Sequence, residues 1–150
     1  MTQAEHALVL AETLRQLDES APWLRRSIKR CQKVAADSDL SAADFDAFEA
    51  LTSRFARLSD MILQKLFRGL DRLELEDSGT LLDALNRAEK RGLIDSSHAF
   101  REIRELRNGI AHEYSQEDLR GLFTSVLQHA PALLEIIRRA HDYSRRYLSA

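Results

Sequence analysis

Cysteine all but drops out of this chain. Its 150 residues include one, Cys31, so no intramolecular disulfide can form and the fold must stand without staples. One thiol and five scattered histidines give no metal-ligand spacing, so neither a metal nor a cofactor is expected. Proline, at two, and glycine, at five, are nearly as scarce, which leaves few places where the backbone is forced out of a helix. No stretch approaches the roughly 18 apolar residues of a membrane span. The first ten residues carry Glu5 and no basic leader, and their apolar run is too short for a secretion signal. A soluble, cytoplasmic protein without membrane contact is the expectation. Charge of one sign is also missing. The 22 basic residues face 24 acidic ones, for a net charge of −2, so no global field marks the chain as a nucleic-acid binder.

What is present favours helices. Hydrophobic residues make up 44% of the chain, enough for a core, and the length is that of one domain spanning residues 1–150. Apolar positions recur every three and four residues, and no run alternates for long with period two. A first helix is predicted over 2–19, with Leu8, Leu14 and Leu17 inward. Ser20 is placed to cap a second helix reaching residue 35, with Pro22 in its first turn and Cys31 as a structural thiol. Ser41, supported by Asp44, caps a long helix to residue 74. Its Phe45, Phe48, Leu51, Phe55, Leu58, Ile62, Leu66 and Leu73 make it the central core helix, and Gly69 within it marks close packing or a kink. After a break at 78–80, Thr80 with Asp83 opens a short helix that stops at Gly92. Asp95 or Ser96 caps the next, and Ser115 with Asp118 opens the last. Pro131 predicts a kink or short break near 128–130. The expected fold is all-α, an up-and-down antiparallel bundle of five to six helices.

The chemistry concentrates in eight residues, Arg107-Asn108-Gly109-Ile110-Ala111-His112-Glu113-Tyr114. Arginine holds phosphate oxygens in pairs. Histidine, with an unperturbed pKa of about 6.5, moves protons at neutral pH. Tyrosine presents a modifiable hydroxyl. The minimal pattern of arginine, four residues and histidine carries little information in a chain with 18 arginines and five histidines. A looser spacing of six also matches Arg91 and His98, but it spans Gly92 and a helix break and is set aside as a decoy. The longer string is far more specific, with Asn108 beside Arg107, Ala111 before His112 and Tyr114 two residues after it. Read as helix, at about 100° and 1.5 Å per residue, Asn108 and His112 lie one turn apart, and Arg107 and Tyr114 share nearly one stripe. The four groups then form two adjacent stripes of one face. Gly109, costly inside a helix, fits a close approach by a partner helix or ligand. A plainer alternative stays open at this point: Asn108 and His112 as a solvated pair, with Arg107 bonded to Glu113 or another nearby acid.

The string Arg107-Asn108-x-x-Ala111-His112-x-Tyr114 resembles the motif of the HEPN superfamily of small α-helical ribonucleases. More closely, it is similar to that of HepT-like toxins encoded beside minimal nucleotidyltransferase antitoxins. The resemblance runs along the whole chain in helix order, but only the motif is specific. It implies the toxin of a type II/VII-like toxin–antitoxin system, a metal-independent endoribonuclease acting on RNA as a homodimer whose motif faces meet in one cleft. It also implies that Arg107 and His112 are catalytic and that Asn108 orients the histidine or bonds the phosphate. The partner nucleotidyltransferase would transfer AMP to Tyr114 and so block the cleft. The chemistry agrees: RNA cleavage needs a base for the 2′-OH, an acid for the 5′-oxygen and positive charge at phosphorus. One protomer offers one motif histidine, and two offer both acid and base. The competing readings are a non-catalytic helical subunit that binds nucleotide or substrate for a nucleotidyltransferase, and a purely structural adaptor.

Outside the motif, Arg25, Arg26, Lys29, Arg30 and Lys33 form a basic stripe that either tracks an RNA backbone or is a solvated face. Trp23 beside it is read as a core anchor rather than a base-stacking platform. Arg54, Arg57 and Asp60, at three-residue spacing, are placed to line the same cleft as the motif. The acids between residues 37 and 49 either face a basic partner or solubilise a loop.

Overall fold

The computed structural model describes residues 1–34, 39–77, 79–112 and 115–148, with Gln116 and Glu117 described through their backbone alone. Residues 35–38, Ser78, Glu113 and Tyr114 lie outside the described residues.

Side-chain caps set the helix starts. Helix α1 (Gln3–Gln32) opens on a reciprocal capping box between Thr2 and Glu5. Helix α2 (Ala42–Met61) opens on Ser41, whose hydroxyl accepts from the Asp44 N–H. It passes without interruption through a π-helical turn (Ile62–Phe67) into α3 (Arg68–Leu73). Helix α4 (Leu81–Lys90) opens on a Thr80–Asp83 box and is stopped by Gly92 at φ +79°. Ser96, rather than Asp95, caps α5 (Ser97–Ile110). Ser115 accepts from the Asp118 N–H as α6 (Gln116–Leu148) begins.

Two expected breaks do not occur. No cap forms at Ser20, and α1 is one helix through Pro22. The cause is a buried stripe, Leu10, Leu14, Leu17, Ala21, Leu24, Ile28 and Cys31, which steps alternately by four and three. A break at Ser20 would throw its halves out of register. The proline costs about 3 kcal/mol, less than the burial of Leu17, Leu24 and Ile28 together at about 1.5–3 kcal/mol each. Likewise α6 runs through Pro131, between buried Ala130 and Leu133. The unbroken α1 corrects two further expectations. Leu8 and Trp23 fall out of phase with the stripe and are 72% and 55% exposed. Gly69 is not a point of close packing, since a Cβ built there meets nothing within 4 Å; the irregularity lies just upstream, in the π turn.

Contacts between helices fix their directions. Arg30 meets Asp44, and Gln16 meets Lys65, so α1 runs antiparallel to the α2–α3 rod. Phe100 packs on Phe67, and Arg104 meets Asp60, so α5 is antiparallel to that rod as well. Phe123 stacks on Phe48, while Tyr143 donates to Glu74, so α6 runs parallel to it. The result is an all-α up-and-down bundle, with no strand among the described residues. The α2–α3 rod is its central member, as Phe48, Phe55, Ile62, Leu66 and Leu73 are all buried. Helix α2 touches both α1 and α5, which do not touch each other among the described residues.

The short α4 is tied on by charge. Asp71, 1% exposed, takes hydrogen bonds from both Nε and Nη2 of Arg87, each 2.9 Å, and Arg91 adds a bond of 2.7 Å to Glu74. A buried carboxylate is tolerated only with such partners. Arg91 is therefore committed to Asp71 and Glu74, and His98 pairs with Glu102 on its own helix. Among the described residues, no helix is long and apolar enough to cross a membrane.

Candidate active site

The motif straddles a helix end. Helix α5 stops at Ile110, with Ala111 as its cap, and the Ala111 and His112 N–H groups donate to the carbonyls of Asn108 and Gly109. Arg107 and Asn108 occupy the last turn, and His112 lies beyond it in the connection to α6. The expected pair of stripes on one helical face therefore does not extend to His112. The physical reason is local. Asn108 and Gly109 are weak helix formers, and the Ser115 cap needs extended backbone, so the chain must leave the helix between them. The Asn108 and His112 side chains are exposed and bond no other described residue.

Arg107 is held from the side by α2. Its Nε and Nη2 donate to the two carboxylate oxygens of Asp60, each at 2.9 Å. Arg104, one turn earlier on α5, donates from Nη1 to the same carboxylate at 2.8 Å and to the Ser59 hydroxyl at 3.1 Å. These bonds, the Arg107 ones first, hold the Asp60 carboxyl below the usual carboxylate range against an opposing push from partial burial. In turn Asp60 raises the Arg107 guanidinium further above its already high value. Arg107 thus meets an acid, as the plainer expectation had it, but the acid comes from 47 residues upstream. The fork is fixed in a plane, and its Nη1 donors are not used in this pair.

The other candidates divide. Arg54 does not reach the motif. It donates to the Ser27 hydroxyl at 2.7 Å and the Trp23 carbonyl at 3.2 Å, with its guanidinium 5.4 Å from the centre of the Trp23 ring. Arg57 lines the same groove as Trp23 and is exposed. On the basic stripe, Arg25, Arg26, Lys29 and Lys33 are exposed, while Arg30 is engaged with Asp44 at 2.8 Å. Tyr114 is outside the described residues. Among those described, no three metal-ligating side chains come together. The residue that the sequence left unmarked is Arg104. Its spacing of three from Arg107 was the available signal, because it puts both on one stripe of α5.

A family model for HepT-like ribonucleases, described as Ribonuclease HepT-like, matches residues 24–140. The chain belongs to the HepT-like ribonuclease family. No curated protein and no solved structure matches it. The HepT-like span takes in the motif from Arg107 to Tyr114 and both clamp residues, Asp60 and Arg104. It begins one residue after Trp23.

Proposed function

We propose that this HepT-like protein is the toxin of a toxin–antitoxin pair and cleaves RNA without a metal. The observation that carries the reading is Arg107, clamped by Asp60 at the end of α5, with exposed His112 five residues on, inside the span that matches the ribonuclease family. In the proposed reaction the 2′-oxygen attacks phosphorus and the bond to the 5′-oxygen breaks, leaving a 2′,3′-cyclic phosphate and a free 5′-hydroxyl. One histidine takes the 2′-proton and another gives a proton to the leaving oxygen. Arg107 donates from Nη1 to an oxygen of the phosphorane, where charge builds up. Asn108, in the same helical turn, bonds the phosphate or orients His112. A chain with one motif histidine needs a second copy for the second proton, so the working unit is a homodimer joined at the motif face. Its partner is a minimal nucleotidyltransferase, which neutralises it by transferring AMP to Tyr114.

The deciding experiment is expression of the protein alone and as His112→Ala. The wild type is expected to arrest growth and cut RNA in the presence of EDTA, leaving cyclic phosphate ends. The alanine variant is expected to do neither, with thermal stability changed by no more than about 0.5 kcal/mol, because His112 is exposed. Full toxicity in that variant removes His112 from the mechanism. Inert wild type that still binds nucleotide in complex with a nucleotidyltransferase supports the non-catalytic subunit instead.

A further inference from the structure

The single tryptophan of the chain stands where a core residue was expected, yet 55% of it is exposed. It lines a groove of about 540 Å³ between α1 and α2, together with Arg54, Arg57, Glu19 and Met61. Arg54 is pinned by Ser27 and by the Trp23 carbonyl and braces the indole. Glu19 is already matched by Arg15. Arg57 makes no hydrogen bond or ion pair with another described residue, so the groove keeps an uncommitted positive charge beside an open aromatic ring. Arg26, one turn beyond Trp23 on α1, adds a second exposed cation.

The groove and the motif share one side of the bundle. Each three-residue step on a helix turns back by about 60° and rises about 4.5 Å. Arg54, Arg57 and Asp60 therefore fan across the outer face of α2, from the α1 flank, where Arg54 meets Trp23, to the α5 flank, where Asp60 meets Arg107. Because α5 is antiparallel to α2, the chain past Arg107 heads toward the level of Arg57 and Arg54.

We propose that Trp23 is a base-stacking subsite for single-stranded RNA, with Arg57 taking the backbone phosphate between the stacked base and the phosphate at Arg107. The inference rests on the ribonuclease reading and extends it to substrate class: unpaired RNA, read by an aromatic face with little sequence preference. Duplex RNA keeps its bases stacked inside and cannot use the ring.

As the only tryptophan, Trp23 reports on itself. The experiment titrates the full-length His112→Ala protein with a fluorescently labelled single-stranded oligoribonucleotide and, separately, with its duplex. Label anisotropy and tryptophan emission are followed together. The expected result is quenching that tracks binding of the single strand and is absent with the duplex. Adding Trp23→Ala is expected to weaken single-strand binding by roughly 5- to 150-fold, the worth of one stacked base, and Trp23→Phe to restore most of it. Arg57→Ala is expected to lower the slope of log affinity against log salt by about one phosphate contact. Single-strand binding with unchanged emission, or with unchanged affinity in Trp23→Ala, overturns the proposal. So does a Trp23→Ala protein that sediments as a lighter species while binding RNA normally, since the ring would then be a contact between copies. RNA cleavage by the otherwise wild-type Trp23→Ala chain with unchanged KM overturns the stacking site and leaves the ribonuclease reading standing. Wild type that neither binds nor cleaves RNA overturns both.

Discussion

Asp60 contributes no proton and touches no substrate in the proposed reaction, yet it decides where the positive charge sits. Its two bonds to Arg107, both 2.9 Å, hold the guanidinium in one plane, and Arg104 completes the clamp. Asp60→Asn keeps the shape but leaves both arginines without their carboxylate. Cleavage is expected to fall by about 10- to 100-fold, the cost of a misplaced group of this kind, and to fall in kcat more than in KM. The pH dependence separates Asp60 from His112. The Asp60 carboxyl is lowered in the folded chain, chiefly by its bonds to Arg107. Its contribution to stability is therefore complete above the unfolded value of about 3.9 and is lost only as pH falls through the lower folded value. Across neutral pH the clamp does not titrate, so Asp60→Asn should lower the rate profile without moving its midpoint. A shifted midpoint would mean that Asp60 acts on the histidine rather than on the arginine. The motif residues could be read directly from the sequence because their spacing is local. The clamp could not, because Asp60 and Arg107 meet only once α5 packs antiparallel on α2. Trp23 was misplaced for a similar reason: its side of the helix depends on whether α1 breaks at Ser20.

Helix propensities and the observed elements disagree at two neighbouring positions, and each disagreement can be tested by exchange. Gly69 is buried inside α3, with open space where a Cβ would go. Gly69→Ala is expected to stabilise the fold by about 0.5–1 kcal/mol, since glycine loses more backbone freedom on folding. Leu75 has the opposite problem. It sits at φ +60° where α3 ends, 81% exposed. The Glu76 N–H closes the turn onto the Asp71 carbonyl at 2.8 Å, a geometry that glycine adopts without penalty. Leu75→Gly is expected to stabilise by about 1 kcal/mol, because the left-handed conformation costs a non-glycine residue about that much. Both gains should appear as higher urea midpoints at unchanged slope, with cleavage unaltered. A lower midpoint for Leu75→Gly would show that the exposed leucine has a partner. Caps and stops at this scale were legible: Ser41, Thr80, Ser96, Ser115 and Gly92 each act as their type predicts. The prolines were not, because burial of a long stripe outweighs one missing hydrogen bond. Nor was the stop at Ile110, where two weak helix formers and the next cap outrank the motif's apparent helical phase.

At the scale of the whole molecule, the bundle places the two proposed sites on either side of α2 and ties the α3 end of the rod with Asp71, Glu74, Arg87 and Arg91. That knot lies beyond Asp60 along the rod, roughly 16 Å away at about 1.5 Å per residue, so Arg107 is held instead by Asp60, with Arg104 bonded to Asp60 and Ser59 beside it. An isolated copy then offers a fixed arginine and one exposed imidazole, which is half of the acid–base pair that the proposed cleavage needs. The dimer proposal turns this into arithmetic. If each cleft draws one histidine from each copy, a dimer with one His112→Ala subunit lacks either the acid or the base. After equal amounts of wild type and His112→Ala exchange subunits at random, only wild-type pairs cut, and about one quarter of the activity of the same total amount of pure wild type should remain. If each copy worked alone, about one half would remain. The variant is suited to the comparison because the His112 side chain bonds no other described residue, so its loss leaves the Asp60–Arg107 clamp and the core untouched. Activity measured against the wild-type fraction should follow the square of that fraction, and a straight line would assign the whole reaction to a single protomer.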